Sequence, residues 1–459
     1  MTIDARHPFL GRHALIVGAA RSGLAAARLL RRHGVDVRVV DARGADALPE
    51  AARELAELGV EVRLGADDAG ALEGRDVVVW SPGIPETHPI AAAARAGSIP
   101  VRSELEVGYL AAHAPLVCVT GTNGKSTTTD LIGHLLRAAG REVAVCGNIG
   151  RPICDVAETV SAAGLLVVEV SSFQLETVDR LKPFVGVWLN LTPDHLDRHG
   201  SLAGYGALKQ RLFARQSEED WAVWNADDPE VMARRSGGGS WLEVSARRPV
   251  EEGAFVRDGA LVLAWRGGTE VLMPARELGI RGPHNRVNAL AAVAAVLPLE
   301  IAPATLRQAL QSYRGLEHRL EPVAVVDGVS FVNDSKATNA GSLEVALDSF
   351  DQPVVLIAGG RDKGQDFSPL SARVREATRA VILIGEGAEG MARAWAGARL
   401  ERAGSLAEAV DRAFDRARPE GVVLLSPGCA SFDMFRDYED RGRAFKAEVA
   451  RLQVKEAHS

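Results

Sequence analysis

Residues 116–127 read LVCVTGTNGKST, and this stretch is the strongest local signal in the chain. The apolar run at 116–120 predicts a buried strand, and apolar residues recur at helical spacing from Leu131 to Leu136. A glycine-rich turn between a strand and a helix lets backbone N–H groups and the helix dipole bind phosphate oxygens. The stretch therefore predicts a nucleotide-phosphate loop.

The loop departs from the strict phosphate-loop pattern in one respect. That pattern places a glycine five residues before the Gly-Lys-Ser triplet, and the residue at this position is Val119. We expect Lys125 to reach the terminal phosphates of ATP, and Ser126 or Thr127 to hold Mg²⁺. A chance Gly-Lys-Ser turn is the alternative, and the strand–loop–helix setting makes it the weaker one.

Outward from the loop, short apolar strands alternate with amphipathic helices, which predicts an α/β fold with parallel sheets covered on both faces. For 459 residues, a scale of about 100–200 residues per domain predicts three domains. We place a Rossmann-like domain at 1–103, a phosphate-loop ATPase domain at 104–315 and a second Rossmann-like domain at 316–459. The predicted strands are 13–17, 35–40, 76–80, 116–120, 165–170, 185–191, 323–326, 330–332, 354–358, 380–384 and 422–426, with helices over 23–33 and 288–297.

Composition excludes several classes of protein. The chain is 47% hydrophobic and 25% charged, with a formal net charge of −7, so it has no general field that attracts nucleic acid. No apolar run approaches the ~20 residues of a membrane span, and the first ten residues lack the core of a signal peptide. The four cysteines form no Cys-x-x-Cys pair, which favours buried structural thiols in a reducing cytoplasm.

Two acidic or basic residues of the central domain lie within or just after a predicted strand. Glu169 interrupts the apolar run 165–170, and a buried carboxylate needs a neutralising partner, either Mg²⁺ or an Arg or Lys side chain. His195 lies just past the strand 185–191, where open α/β sheets bind ligands. His195 could ligate a second metal. The other polar residues of the segment 194–199, taken one at a time, are more simply explained as helix-start or surface residues.

Polar clusters also follow strands of the other two domains. Residues 18–23 nearly match Gly-x-Gly-x-x-Gly but carry Ala20 in the middle, and Asp41 ends the next strand, where an acid often binds ribose. This turn suits a nucleotide diphosphate, with NAD left open. Three clusters at 333–339, 359–364 and 426–433 each follow a strand and suit phosphate or carboxylate recognition.

Motifs spread over nearly the whole chain resemble those of the Mur ligase family. Beside the loop they are GNIG at 147–150, EVSSFQLE at 169–176, DHLDR at 194–198, GLEHR at 315–319 and SPGCAS at 426–431. The string NDSKATN at 333–339 is similar to the glutamate-adding branch, and the DNPR string of the diaminopimelate- or lysine-adding branch is absent.

The resemblance implies a cytoplasmic, monomeric ligase of peptidoglycan synthesis that uses ATP to join D-glutamate to UDP-N-acetylmuramoyl-L-alanine. It implies catalytic roles for Lys125, Glu169, His195 and Lys209. The implied ATP contacts are Gly121, Thr122, Asn123, Gly124, Lys125, Ser126, Thr127, Asn285, Asn288, Arg319 and Asp334. Two Mg²⁺ ions would be held by Ser126, Thr127, Glu169, His195 and Lys209, the last as a carbamate. The UDP-substrate positions are Ser22, Asp41, Arg43, Ser81, Pro82, Gly83 and Asn148, and the glutamate positions are Lys336, Thr338, Lys363, Ser431 and Phe432.

Other functions remain open from the sequence. A sibling ligase, including a folylpolyglutamate synthase or an enzyme that adds L-glutamate, shares most of these motifs. A regulatory ATPase or UDP-sugar-binding protein would carry the same loop without ligase turnover. A nicotinamide-dependent oxidoreductase would use the turn at 18–23, although Ala20 and the separate phosphate loop speak against it.

Overall fold

The computed structural model describes residues 13–85, 87–280, 282–362 and 364–456. It confirms the predicted α/β class, with three sheets along the described chain. The contacts divide the chain into two compact units. The first contains the described residues up to Glu277 together with Val287–Gln311, and the second contains Leu278–Arg286 and the residues from Ser312 onward. The first two sheets therefore belong to one unit.

The first sheet has five parallel strands in the order β3-β2-β1-β4-β5. Its elements are β1 His13–Val17, α1 Arg21–Arg32, β2 Asp36–Asp41, α2 Pro49–Glu57, β3 Glu61–Leu64, β4 Val77–Trp80, α3 Pro89–Ala96, β5 Val101–Ser103 and α4 Glu104–Ala111. Alternate residues of β1 pack into different clusters, Ala14 and Ile16 with α1 and Leu15 and Val17 with α3. Both faces are thus buried, as a parallel sheet requires.

The second sheet has nine strands in the order β14-β13-β12-β11-β10-β9-β6-β8-β7. Its elements are β6 Leu116–Thr120, α5 Lys125–Ala138, β7 Val143–Gly147, β8 Leu165–Glu169, α6 Ser172–Leu175, β9 Val185–Trp188, α7 Leu196–His199, α8 Leu202–Gln210, β10 Trp221–Asn225, α9 Pro229–Met232, β11 Ser240–Ser245, β12 Gly253–Arg257, β13 Ala260–Trp265 and β14 Gly268–Pro274. Helices α10 Pro283–Val296 and α11 Pro303–Ser312 follow. Strand β6 lies between β8 and β9, so the loop after β6 emerges beside the ends of both neighbours.

The third sheet has six strands in the order β15-β16-β20-β17-β18-β19, with only β15 antiparallel to its neighbour. Its elements are β15 Glu321–Val326, β16 Val329–Asn333, α12 Ala340–Leu347, β17 Val354–Gly359, α13 Ser371–Ala377, β18 Thr378–Ile384, α14 Ala388–Ala394, β19 Leu400–Arg402, α15 Leu406–Ala417, β20 Gly421–Gly428 and α16 Tyr438–Glu456. Strands β16, β20 and β17 are neighbours, and the three polar clusters predicted from the sequence follow these strands.

Two further findings bear on the sequence predictions. All four cysteines are buried and free, which agrees with structural thiols. Among the described helices, none combines the length and apolarity that crossing a bilayer requires.

Candidate active site

The loop at 121–127 connects β6 to α5, and its shape depends on glycine. Gly124 caps α5 in the left-handed region, with φ at 82°, a conformation that costs other residues free energy. A Cβ at this position would also lie 2.4 Å from Oδ1 of Asn288. The glycine therefore provides both the turn and the room for the Asn288 amide, which is buried on α10 together with Asn285.

Asn190, just past β9, holds the first half of the loop. Its Oδ1 accepts hydrogen bonds from the backbone N–H groups of Thr122 (2.9 Å) and Asn123 (2.8 Å), and its Nδ2 donates to the Asn123 carbonyl at 3.1 Å. Strand β9 was predicted to reach Leu191 but ends at Trp188, because the chain beyond it turns to bind the loop. The N–H groups of Thr122 and Asn123 thus fix the loop's shape within the protein.

The lysine of the loop is folded onto the loop itself. Lys125 Nζ donates to the carbonyls of Gly121 (2.9 Å) and Thr122 (2.7 Å). Ser126 is buried and lies in the first turn of α5. An ammonium group on loop carbonyls is held at the helix amino terminus, where phosphate groups bind most favourably.

Glu169 ends β8 and is only 3% exposed. Its Oε1 accepts a 2.8 Å hydrogen bond from Asn148 Nδ2, whereas its Oε2 is buried and accepts none from the described residues. The described hydrogen-bond partner of Glu169 is therefore an amide. It is not the Arg or Lys side chain that a buried ion pair would require. A buried carboxylate oxygen without a donor is costly, and hard oxygen donors are what Mg²⁺ prefers. The residues fit a magnesium ion.

Lys209 on α8 is buried, 1% exposed, although its sequence setting suggests an ordinary helix-surface lysine. Its Nζ donates to the Gly121 carbonyl at 2.8 Å and lies 4.3 Å from the centre of the Tyr205 ring. Burial, and then the nearby charge of Lys125, lower the pKa of Lys209 well below its ordinary value. The loop therefore has a second amine against it, and this one is readily deprotonated.

His195 precedes α7 with φ at 52°, a left-handed conformation that is uncommon outside glycine. Its side chain is about half exposed, 3.6 Å from Asp194, and its ring centre is 4.8 Å from that of Phe173. Within the described ranges, no three His, Cys, Asp or Glu residues gather closely enough to hold a metal.

A cavity of about 660 Å³ lies between the first sheet and the central sheet. It is lined by all seven residues assigned to the UDP-substrate: Ser22, Asp41, Arg43, Ser81, Pro82, Gly83 and Asn148. Asp41 accepts from the Ala19 N–H at 2.8 Å and pairs with Arg43, which holds the pKa of Asp41 down at about 2. Asn148 also contacts Glu169, so one end of this cavity touches the edge of the phosphate-loop site.

The clusters after β16 and β20 meet in the second unit. Asp334 accepts from Ser426 Oγ at 2.8 Å and from the Leu320 N–H at 3.2 Å, and burial raises its pKa to about 7. Arg319 lies in the segment that precedes β15. The N–H of Gly428 donates to the Ala337 carbonyl at 2.9 Å, which joins the two segments.

The five glutamate positions differ in exposure. Lys336 Nζ lies 5.1 Å from the centre of the Tyr438 ring, Ser431 is buried and Phe432 is 59% exposed. Thr338 is partly buried. Lys363 lies outside the described residues. The structure therefore brings the segments of Lys336 and Ser431 together and leaves Lys363 unassigned.

Comparison with known proteins decides the family. Three family models match the chain: a Mur ligase MurD-like N-terminal domain at residues 12–103, a Mur ligase middle domain at 119–296 and a Mur ligase glutamate ligase domain at 318–429. The chain belongs to the Mur ligase family.

Relatives agree with this assignment. A UDP-N-acetylmuramoylalanine–D-glutamate ligase of Pelotomaculum thermopropionicum is 44% identical, over 97% of this chain and 99% of its own. One of the same name from Salinibacter ruber is 43% identical, over 96% and 98%. Among solved structures, the UDP-N-acetylmuramate-alanine ligase of Thermotoga maritima superposes with a TM-score of 0.60 at 18% identity, over 97% of this chain and 100% of its own. That likeness shows that the Mur ligase fold is shared.

Sequence reasoning missed one structural residue of this Mur ligase in the second unit. Arg441 on α16 is 1% exposed and donates to Ser335 Oγ (2.9 Å), the Ser335 carbonyl (2.8 Å) and the carbonyls of Cys429 and Ala430. It therefore ties the segment after β16 to the segment after β20. Its position near the end of the chain, within a charged helix, gives no local signal of this role.

Proposed function

We propose that this chain is an ATP-dependent ligase of peptidoglycan precursor synthesis that joins D-glutamate to the carboxylate of UDP-N-acetylmuramoyl-L-alanine. The observation that carries the proposal is the contact between Asn148 and Glu169. It connects the cavity that holds the UDP-substrate positions to the strand end beside the phosphate loop. A substrate whose nucleotide occupies the cavity could thus extend its acyl end toward ATP. The relatives that match over nearly the full length are named for the same reaction, which supports the proposal.

The chemistry requires activation, because hydroxide is a poor leaving group. A carboxylate oxygen of the substrate attacks the γ-phosphorus of ATP, the bond to the ADP oxygen breaks, and an acyl phosphate forms. The glutamate amine then attacks the acyl carbon, loses a proton, and phosphate leaves as the amide forms. Both partners of the first step are anionic, so the ammonium of Lys125 and the amino terminus of α5 are proposed to offset their repulsion.

We propose that Ser126, Thr127 and Glu169 hold Mg²⁺ beside ATP, with a second ion at His195. When bound, Mg²⁺ neutralises charge that develops on the phosphate oxygens. Carbamylation requires a neutral amine, and the lowered pKa of Lys209 suits it: the nitrogen attacks the carbon of CO₂, an N–C bond forms and a proton is lost. The resulting anion would replace a buried amine beside the loop and supply oxygen ligands to the second ion.

The remaining site residues have proposed roles in binding. Asn285 and Asn288 contact adenine, and Arg319 and Asp334 contact the ribose and phosphate side of ATP. The glutamate pocket is assigned to Lys336, Thr338, Lys363, Ser431 and Phe432, of which the two lysines supply charge opposite to that of the glutamate carboxylates. Support for this pocket comes from Arg441, which orders both contributing segments.

We further propose the domain boundaries 103/104 and 315/316, a monomeric state and a cytoplasmic location. The three family models fall on either side of these boundaries. Support for the location comes from four buried, free thiols, which a reducing compartment maintains.

Trapping of the activated carboxylate tests the proposal. Hydroxylamine, supplied with ATP, Mg²⁺ and UDP-N-acetylmuramoyl-L-alanine in place of glutamate, should yield a hydroxamate. Glu169→Gln should lose this product while it still binds the UDP-nucleotide, and the exposed control Glu50→Gln should keep it. ATP hydrolysis without hydroxamate would instead favour a regulatory ATPase, and reduction of NAD would favour an oxidoreductase.

A further inference from the structure

Arg198, the third residue of α7, contacts the turn that follows β4 of the first sheet as well as its own central domain. Its Nη1 donates to the Pro82 carbonyl at 3.1 Å, and its Nη2 donates to the Ile84 carbonyl at 3.0 Å. Both residues line the 660 Å³ cavity, in the turn that follows β4. The guanidinium therefore hydrogen-bonds to the backbone of the turn at 82–84, and the UDP-nucleotide is proposed to bind against this turn.

The same guanidinium is fixed from the central domain by Glu176, the cap residue at the end of α6. Its Nε donates to Glu176 Oε1 at 2.9 Å, and its Nη2 lies 2.5 Å from Oε2. Both side chains are largely buried, with exposures of 17% for Arg198 and 6% for Glu176. Four hydrogen bonds from one planar fork fix its position and orientation, which an ammonium group cannot reproduce.

Helix α7 also carries the residue proposed to bind the second metal. His195 is the cap residue of this helix, and the Phe173 ring contacts both His195 and Arg198: its centre lies 4.8 Å from the His195 ring centre and 4.5 Å from Arg198 Cζ. A four-residue helix is too short to hold its own position by backbone bonds alone. Its placement therefore depends on side-chain contacts, among them the four hydrogen bonds of Arg198.

A second line of contacts runs from Glu176 to the phosphate loop. His199 Nδ1 lies 3.7 Å from Glu176 Oε1, and its ring stacks on that of Tyr205, with centres 5.3 Å apart and planes 13° apart. The Tyr205 ring in turn faces Lys209 Nζ, which bonds the Gly121 carbonyl. The turn in the cavity and the loop are thus connected through packed, buried groups.

We propose that Arg198 is a positioning residue that couples the UDP-nucleotide cavity to the ATP site. A UDP-nucleotide that fixes the turn 82–84 fixes α7 through Arg198, and so favours the placement of His195 and Lys209 that binds ATP and metal. By linkage, ATP must strengthen UDP-nucleotide binding by the same factor. This inference rests on the proposed function, because the proposed function assigns the UDP-nucleotide and ATP to these two sites.

The test measures the coupling directly. The dissociation constant of UDP-N-acetylmuramoyl-L-alanine is determined by calorimetry with and without Mg²⁺ and a non-hydrolysable ATP analogue. We expect the analogue to tighten binding ~5-fold or more in the wild type, the lower end of ordinary coupling. Arg198→Met should reduce this ratio to about 1, and Arg198→Lys, which keeps the charge, should retain part of it.

A matched control exists at another contact between the first domain and the central domain. Arg28 on α1 pairs with Asp155 of the central sheet's domain at 2.9 Å and with Glu54 of its own. Arg28→Met removes a comparable ion pair away from α7, so it should leave the coupling ratio at the wild-type value. In steady state, Arg198→Met should lower kcat at saturating substrates, whereas Arg28→Met should not.

The outcomes separate the two proposals. A wild type that binds no UDP-nucleotide contradicts the proposed function. A wild type that binds both ligands without coupling, or an Arg198→Met variant with an unchanged ratio, overturns the role of Arg198 and leaves the ligase activity standing. If Arg198→Met does not fold, Arg198→Lys decides: a wild-type ratio overturns the proposal, and a reduced ratio supports it.

Discussion

Replacement of Glu104 by glutamine should remove a large part of the pH dependence of stability. Glu104, the first residue of α4, is 1% exposed, and its Oε1 accepts a 2.8 Å hydrogen bond from the Cys154 N–H. Its Oε2 is buried and accepts no hydrogen bond from the described residues. Burial raises the pKa of this carboxyl from 4.5 to about 7.

The sign and size of the effect follow from this pKa. Between pH 4.5 and 7 the folded state binds the Glu104 proton and the unfolded state releases it, so the free energy of unfolding falls as the pH rises. The interval between 4.5 and about 7, at 1.36 kcal/mol for each tenfold change, gives a loss of about 3 kcal/mol that is complete above pH 7. Below pH 4.5 the Glu104 carboxyl is neutral in both states, so its burial no longer lowers the free energy of unfolding.

Urea unfolding of wild type and Glu104→Gln at pH 5 and pH 8 measures this loss. Other groups titrate in both proteins. The quantity to compare is therefore the change in the free energy of unfolding from pH 5 to pH 8, taken as the difference between wild type and variant. We expect Glu104→Gln to lose about 2.5 kcal/mol less than the wild type between these values, because part of the loss is already complete at pH 5. The exposed control Glu50→Gln should match the wild type. Parallel pH profiles for wild type and Glu104→Gln would refute the reasoning.

Three further changes probe the phosphate-loop site. Gly124→Ala should destabilise the protein by about 1–2 kcal/mol from the left-handed backbone alone, and should weaken ATP binding because its Cβ meets Asn288; urea unfolding and ATP titration measure the two effects. Asn190→Asp keeps an oxygen that accepts from the N–H groups of Thr122 and Asn123, but it loses the donor to the Asn123 carbonyl and adds a negative charge. We therefore expect ATP affinity to fall ~10-fold or more, measured by titration with a fluorescent ATP analogue. Removal of CO₂ and bicarbonate should lower kcat, and added bicarbonate should restore it; with ¹³C-bicarbonate, a carbamate resonance should appear in the wild type and be absent in Lys209→Arg.

The strands and their polar ends could be predicted because both leave a local signal. Apolar runs such as 116–120 and 354–358 became β6 and the greater part of β17, since a strand buried on both faces must be apolar throughout. Strand β19 was missed because it has three residues, two of them charged. Its place at the edge of the sheet is set by pairing with β18 and not by its own sequence.

The residues that sequence reasoning missed act at long range. Asn190 reaches the loop 67 residues earlier in the chain, and Arg441 bonds Ser335 from 106 residues away. Lys209 was assigned through family resemblance alone, because burial against the Gly121 carbonyl depends on how α8 packs. Such contacts follow from the three-dimensional arrangement of the sheets, and they cannot be predicted from a single polar residue in a helix or loop.

Phosphate release with product mass determination tests the proposed ligase reaction most directly. ATP, Mg²⁺ and UDP-N-acetylmuramoyl-L-alanine are supplied with D-glutamate, L-glutamate or another amino acid in turn. The proposed function predicts phosphate and a glutamyl-extended UDP-nucleotide with D-glutamate, and neither when the nucleotide or the amino acid is omitted. Phosphate release that is independent of glutamate, or extension by L-glutamate in preference to D-glutamate, would contradict it.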